Sequence, residues 1–574
     1  MPGRLRPAGG RIFPHNRNTF YKKKGESLNP TPTTGARSLK MYRNGSVYSA
    51  ADPFATAMLV DGDTIAWVGS EQAATSIQDA KMQVIDLQGA LITPGFVDSH
   101  AHITETGWAL SSLDLSGITS LRGLLDAVAA AAAGSTGAIL GYGWDESAWP
   151  ERRVPTAAEL DAASGHRHVY LARTDVHCAV VSGTLAADLR LQEHDGWDDG
   201  FVVRSAHAVA RTAVRSLDLA QRSRYQQAAL RHAAAQGIVA VTEMAAPHIV
   251  PPEDLRQLMR LEGSLGGDNL PQVLPYWGQL VQSETELAEV AELFGGKLLG
   301  LGGDLNVDGS LGARTAALRG GYSDADTTGS LFLTAEQIGR HLELTTRAGL
   351  QGGFHVIGDA GLDALLAGLR IAADAVGEDR IRAAHHRLEH MELTDDAAIA
   401  ELVRYGAVAS MQSGFDSAWG GSGGLYEQRL GERSTAMNRF ASLLSAGVMV
   451  ALGSDSPVIP MDPWSAVRAA VSHSNPDERI SARAAFIAHT RAGWRASGAG
   501  NFMLGQLAPG APASYAVWEV EELMVQTPDA KGAAWSTDPR AGTPLLPALD
   551  TGHQPRCLLT VHDGAELYRS VDFS

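Results

Sequence analysis

The chain has 574 residues but only two cysteines, Cys178 and Cys557, and only seven lysines. Two cysteines provide neither a disulfide framework nor a cysteine-based zinc motif. A reducing cytoplasm is therefore the expected setting. No apolar run approaches the roughly 18 residues of a membrane span, and mean hydropathy is −0.08, so no membrane partner is expected. The first 43 residues carry ten Lys/Arg and a single acid, Glu26, but no apolar stretch of the kind a secretory signal needs. Residues 1–38 are charged, rich in proline, threonine and asparagine, and without periodicity, which predicts a disordered basic tail. Beyond residue 43 the balance reverses to 37 basic against 63 acidic residues. That surplus of negative charge argues against nucleic acid as a partner.

The 44% of apolar residues can build a sizeable core, and the length asks for one large domain with appendages or for two to three domains. Both ends read as strands. TAMLVDGDTIAWVG is two alternating runs around a hairpin signal. ASYAVWEV and CLLTVHDGAELY near the C-terminus have the same character. Residues 39–92 and 500–574 are therefore expected to form one composite β domain, a small β-sandwich.

The middle, 93–499, alternates helix and strand. Thr334 and Gln337 form a candidate capping box on a helix that Gly349 closes, and GGFHVIGD follows. DDAAIAELVRYG runs to Gly406 before AVASMQS. Helix, glycine, apolar strand and polar tip repeat in this way, which implies a parallel sheet buried on both faces. Eight strands can be counted: FVDSHAH, IVAVTEM, QVLPYWG, DLNVDG, GFHVIGD, RLEHME, AVASMQS and VALGSD. The expected fold class is α/β, a (β/α)8 TIM-like barrel. About 130 residues separate strands one and two, so an inserted subdomain over the mouth is expected at about 110–230.

The stretch LITPGFVDSHAHI ends in two histidines two residues apart. On a strand, such residues share a face, so His100 and His102 project together. Alone, that pair is unremarkable. Catalytic groups of such barrels sit at the C-terminal strand ends, and the same position holds His355 on strand five, His390 on strand six and Asp455 on strand eight. Imidazole and carboxylate ligands suit Zn²⁺, and an incomplete protein shell leaves room for water. The metal lowers the water's pKa from 15.7 towards about 7 and polarises a carbonyl. Asp455, a further ligand candidate, can take the water's proton and pass it to a leaving nitrogen.

GFVDSHAH, HVIGD, LEH and GSDSPV, in this order, resemble the metal-dependent amidohydrolase superfamily. GYGWDESAW, DGSLGARTAAL and the MQ of ASMQS look like the branch containing N-substituted formamide deformylases. The resemblance covers roughly residues 40 to 574. It implies hydrolysis of a non-peptide C–N bond, in an amide or N-substituted formamide, through a zinc-bound hydroxide. By position it makes His100, His102, His355 and His390 metal ligands and Asp455 the general acid/base. Many members of the branch carry a lysine four residues before the Asp-Gly of strand four, where a carboxylated lysine can bridge two metals. Here that position is Asp304, and Lys297 alone lies between strands one and eight. An aspartate side chain is shorter than that lysine and does not reproduce its reach, so one zinc is favoured over two bridged by another carboxylate, for which Glu243 and Asp304 are the candidates, with another divalent metal as an alternative.

Around the pocket, Trp144, Asp145 and Trp149 suit an organic substrate with an apolar group, and subdomain packing explains the tryptophans equally well. Asp175 and His177 of TDVH are candidate lining residues. Asp308 and Arg314 follow strand four, and Arg314 either orients a substrate or pairs with Asp308. Glu389 neighbours His390, points the opposite way on a regular strand, and reads as structural. A deaminase, a hydrolase of cyclic amides, ureas or esters, and a catalytically silent small-molecule binding protein are the alternatives. The partner expected is a small amide, and the oligomeric state stays open, a homodimer included.

Overall fold

The computed structural model describes residues 39–573 apart from 135–136, 147–148, 174–177, 262–268, 530–531, 537–542 and 551–552. The expected basic tail, 1–38, lies outside the described residues, as do Asp175 and His177.

Eight parallel strands form the central sheet: β1 (Phe96–Ala101), β2 (Ile238–Ala245), β3 (Gln272–Trp277), β4 (Gly300–Leu301), β5 (Gln351–Val356), β6 (Arg387–His390), β7 (Val408–Met411) and β8 (Met449–Leu452). They pair in sequence order from β1 to β8. The ring closes at its C-terminal end, where the Asp455 N–H donates to the His100 carbonyl (2.7 Å) and the His102 N–H to the Ser456 carbonyl (2.9 Å). Two site strands are thereby tied together beside their functional side chains. The strands are buried on both faces because helices wrap the sheet. The capping box on Thr334 forms and starts the helix Ala335–Ala348, which Gly349 ends. The helix Asp396–Tyr405 likewise ends at Gly406.

Strand four differs from its expected position. The ladder comprises only Gly300 and Leu301, upstream of DLNVDG. A side chain on Gly302 would collide with the Gly353 backbone, and Gly303 sits at φ +88°, a conformation glycine adopts at little cost. This pair ends the regular strand and turns the chain. Asp304 follows at once, and Leu305 to Val307 run irregularly beside β5, exchanging hydrogen bonds with the His355 backbone. Asp304 therefore sits just past a strand tip.

Strands from both ends of the chain share one core. A five-stranded sheet runs Ser46–Val47, Leu91–Pro94, Tyr515–Glu519, Arg556–His562, Ala565–Arg569. It packs on a four-stranded sheet built from Leu39–Asp86 through Tyr42, Met58, Ile92, Tyr515, Val517 and Leu559. Between β1 and β2 lies a separate six-stranded sheet, from Leu113–Asp114 to Phe201–Val202, with its own apolar clusters. The helix Ile103–Leu110 leads into it. That helix packs so closely on the helix Leu219–Ala235 that a side chain on Gly107 would overlap the Tyr225 carbonyl. Among the described residues no helix is long and apolar enough to cross a membrane, and Cys178 and Cys557 are both buried and form no disulfide.

Candidate metal centre

The strand ends bring the expected residues together. His100 Nε2 lies 3.4 Å from Oδ1 of both Asp304 and Asp455. His102 Nε2 lies 3.2 Å from Asp304 Oδ2 and 3.2 Å from Asp455 Oδ1. His390 Nε2 lies 3.8 Å from Asp304 Oδ1. His355 and His390 rings stack edge to face at 4.6 Å. Ligand atoms of His100, His102 and Asp304 all lie within 4.8 Å of one another, as do those of His100, His390 and Asp455, and of Asp304, His355 and His390.

Three of the four imidazoles have one ring nitrogen already committed. His100 Nδ1 donates to Glu389 Oε2 at 2.9 Å, His390 Nδ1 to Gln412 Oε1 at 2.9 Å, and His355 Nε2 to the Gly309 carbonyl at 3.2 Å. Each bond fixes a tautomer and leaves the other nitrogen as a lone-pair donor, the usual support of a metal-binding histidine. His100 Nε2 and Asp304 Oδ1 are buried and have no hydrogen-bond partner among the described residues. Unmet bonds on imidazole and carboxylate atoms that face one another suit a shared cation. The residues therefore fit a divalent cation held by nitrogen and oxygen donors.

The electrostatics agree. Burial pulls His100 down, but Asp455, Asp304 and Glu389 outweigh it and lift the ring to about 10. Burial likewise raises Asp304, yet the neighbouring imidazoles, His102 first, hold it well below the usual carboxylate range. Asp455 is also held low, by His100 and its neighbours against burial. A buried carboxylate, Asp455, and a half-buried one, Asp304, facing imidazole nitrogens demand positive charge between them, supplied by protons or by a metal.

Glu389 is where sequence reasoning failed. It faces the barrel interior, not the opposite side. His390 adopts φ 71° and Met391 φ 44°, so the strand's alternation breaks and consecutive residues both turn inward. Non-glycine residues hold such angles at some cost, and typically at functional sites. Arg387 grips the same carboxylate through Nε (2.9 Å) and Nη2 (3.2 Å) and also donates to the Ser99 carbonyl and Ser410 Oγ. Burial would raise Glu389, but Arg387 and His100 bring it to about 2, so it stays ionised. Three polar residues within the four-residue strand RLEH were the available signal. Gln412 was noted only as part of a motif. Asp455 itself sits at φ 55°.

Other candidates are placed elsewhere. Glu243 accepts the Ile103 N–H at 2.7 Å, belongs to none of the three ligand groups, and is pushed up to about 7 by burial. It anchors the helix that begins after His102. Asp308, a substrate candidate, is fully buried. Its oxygens accept the backbone N–H groups of Ile357 (3.0 Å), Ala317 (2.8 Å) and Gly358 (2.8 Å), tying the loop after β4 to β5. Arg314 pairs with Asp324 at 3.1 and 2.7 Å, not with Asp308. Trp144 is fully buried in the inserted subdomain and donates its indole N–H to the Leu171 carbonyl at 2.9 Å. It forms no substrate wall. Trp149 lies in the same core, and Asp145 pairs with Arg173 at 2.6 Å.

The chain is similar to known proteins over most of its length. A protein of Arabidopsis thaliana, LONG AFTER FAR-RED 3, is 27% identical over 541 residues, 87% of this chain and 90% of its own. The N-substituted formamide deformylase of Arthrobacter pascens is 22% identical over 80% of this chain and 89% of its own. The crystal structure of an uncharacterized metal-dependent hydrolase from Pyrococcus furiosus superposes with a TM-score of 0.67 at 28% identity, covering 83% of this chain and 98% of that one. The model of the amidohydrolase family matches residues 83–568, a span that takes in β1 to β8 and every candidate ligand described above. This chain therefore belongs to the amidohydrolase family and is a hydrolase of carbon–nitrogen bonds.

Proposed function

We propose that the chain is a zinc-dependent hydrolase of a small linear amide, with N-substituted formamides as the favoured class. The observation that carries this reading is the convergence of four imidazoles, three with one nitrogen committed, on the carboxylates of Asp304 and Asp455. Nitrogen and oxygen donors in an incomplete shell suit zinc. The likeness to the deformylase of Arthrobacter pascens supports the substrate class.

His100, His102, His355, His390 and Asp304 would hold the metal, which when bound polarises the carbonyl and acidifies water. Asp455 stands within 3.4 Å of both β1 histidines. Its carboxylate accepts a proton from the water that attacks the carbonyl carbon. The C–N bond breaks, and Asp455 returns that proton to the leaving nitrogen. Amide and water thus become acid and amine. A cytoplasmic setting and a homodimer are compatible with this reading.

The test is a panel of N-substituted formamides, longer linear amides, lactams and aminated heterocycles, offered to zinc-loaded protein, with formate, acid, amine or ammonia measured. Formate and amine from the formamides are expected. Turnover confined to lactams or ammonia release would move the function to cyclic-amide hydrolysis or deamination. Binding without turnover across the panel would make the chain a binding protein.

A further inference from the structure

Two carboxamides border the imidazole cluster, and each leaves one atom unmet. Asn306 stands in the irregular stretch after β4 and pairs in parallel with His355. The His355 N–H donates to the Leu305 carbonyl at 3.1 Å and the Val307 N–H to the His355 carbonyl at 2.9 Å. Residues paired in this way send their side chains to the same face, so the half-buried Asn306 lies beside the His355 ring. Its Oδ1 is buried and accepts no hydrogen bond among the described residues. Gln412 follows β7 and precedes the helix Ser413–Trp419. Its Oε1 accepts the His390 Nδ1–H at 2.9 Å, which leaves Nε2 as a buried donor without a partner among the described residues.

Unmet atoms occur elsewhere in this chain, but these two adjoin candidate metal ligands on different strands. One acceptor and one donor match the two polar groups of a secondary amide, one N–H and one C=O. Asn306 follows β4 and Asp455 follows β8, strands that stand across the barrel from one another. A nitrogen between them offers its N–H to one and its lone pair to the other. We propose that Asn306 is a specificity-determining residue that selects amides retaining an N–H. Its Oδ1 accepts the hydrogen of the scissile nitrogen, and Gln412 Nε2 donates to the carbonyl oxygen. This rests on the amide-hydrolase reading above and narrows it to N-monosubstituted amides.

The proton balance is unchanged. The hydrogen held by Asn306 stays on nitrogen. The proton that Asp455 takes from water enters on the lone pair, the C–N bond breaks, and a primary amine leaves with both hydrogens. An N,N-disubstituted amide presents carbon where Oδ1 needs a donor, and a formate ester presents an oxygen lone pair. Sites built to bond a substrate N–H reject analogues that lack it.

The experiment measures kcat/KM of the zinc-loaded full chain for an N-alkylformamide and for the formate ester of the same alkyl group, two substrates of matched size. Asn306→Leu should lower the amide-to-ester ratio about 10–100-fold, with bound zinc within twofold by elemental analysis. Asn306→Asp keeps an acceptor and should retain most of the ratio. Gln412→Glu keeps an acceptor for His390 and loses the donor, so both substrates should slow together. An unchanged ratio in Asn306→Leu would overturn the assignment and leave the amide hydrolase intact. Loss of zinc in that variant would make Oδ1 a metal ligand and also overturn it. Unaltered protein inert towards amide and ester alike would overturn both readings. An unaltered chain that turns over an N,N-dialkylformamide as fast as its monoalkyl counterpart would overturn the assignment even where the variants fail to fold.

Discussion

The barrel mouth and the inserted sheet both bury polar side chains at strand ends, and they treat them in opposite ways. In the inserted sheet the indoles of Trp144 and Trp149 donate to the carbonyls of Leu171 and Ile118, and the Tyr170 hydroxyl meets His207 at 2.9 Å. At the barrel mouth His100 Nε2, His102 Nδ1 and Asp304 Oδ1 are buried without hydrogen-bond partners among the described residues. Satisfied groups hold a shape. Orphans that face one another, each left unmet at a cost of about 1–3 kcal/mol, can be completed together by one shared ligand. Both regions read alike as motifs, and the hydrogen-bond account separates them.

The most severe way to break the contrast is at Asp455. Asp455→Asn keeps the size of the side chain and most of its packing but cannot carry the proton. Turnover is expected to fall by about 10²–10⁴, the usual worth of general acid–base catalysis, while bound zinc stays within twofold by elemental analysis. A kcat near that of the unaltered enzyme would remove Asp455 from proton transfer.

A smaller effect is expected one bond further out. Glu389 touches His100 and no other ligand, held ionised by Arg387. Glu389→Gln retains an acceptor for the His100 Nδ1–H and loses the charge. Zinc affinity, measured by chelator competition, should weaken about 10–100-fold, with the Nδ1–H tautomer of His100 still visible by nitrogen NMR. Unchanged affinity would mean that the Arg387–Glu389 pair serves only to fill the barrel.

The regular part of this architecture was legible. Two-residue and helical periods, together with closing glycines, located seven of the eight strands, and register placed the candidate ligands His100, His102, His355, His390 and Asp455 at or just past their C-terminal ends. Strand four was misplaced because DLNV alternates polar and apolar residues, while the real ladder is two residues ended by Gly302 and Gly303. Alternation carries no warning of a steric stop. Glu389 was misread for a related reason: the left-handed backbone at His390 and Met391 is set by tertiary packing, and neither residue is a glycine that would announce it. Asp308 and Arg314 stand in a motif that looks functional. Whether such a carboxylate meets a ligand or three backbone N–H groups depends on where β5 lies, which local sequence does not encode.

The mildest prediction sharpens the comparison from the satisfied side. Trp144→Phe in the inserted sheet removes the indole N–H and leaves the Leu171 carbonyl buried without that donor. Losing one partner of a buried hydrogen bond costs about 1–3 kcal/mol, and the smaller ring leaves space among Leu160, Val169 and Leu171, its neighbours in that core. The expected result is a lower midpoint in urea unfolding, with kcat and KM for a formamide unchanged within twofold below the transition. The opposite pattern, a raised KM at full stability, would return the indole to the substrate. It would also show that a fully satisfied donor can still be functional, and the distinction between the two regions would then rest on position over the barrel instead of on unmet hydrogen bonds.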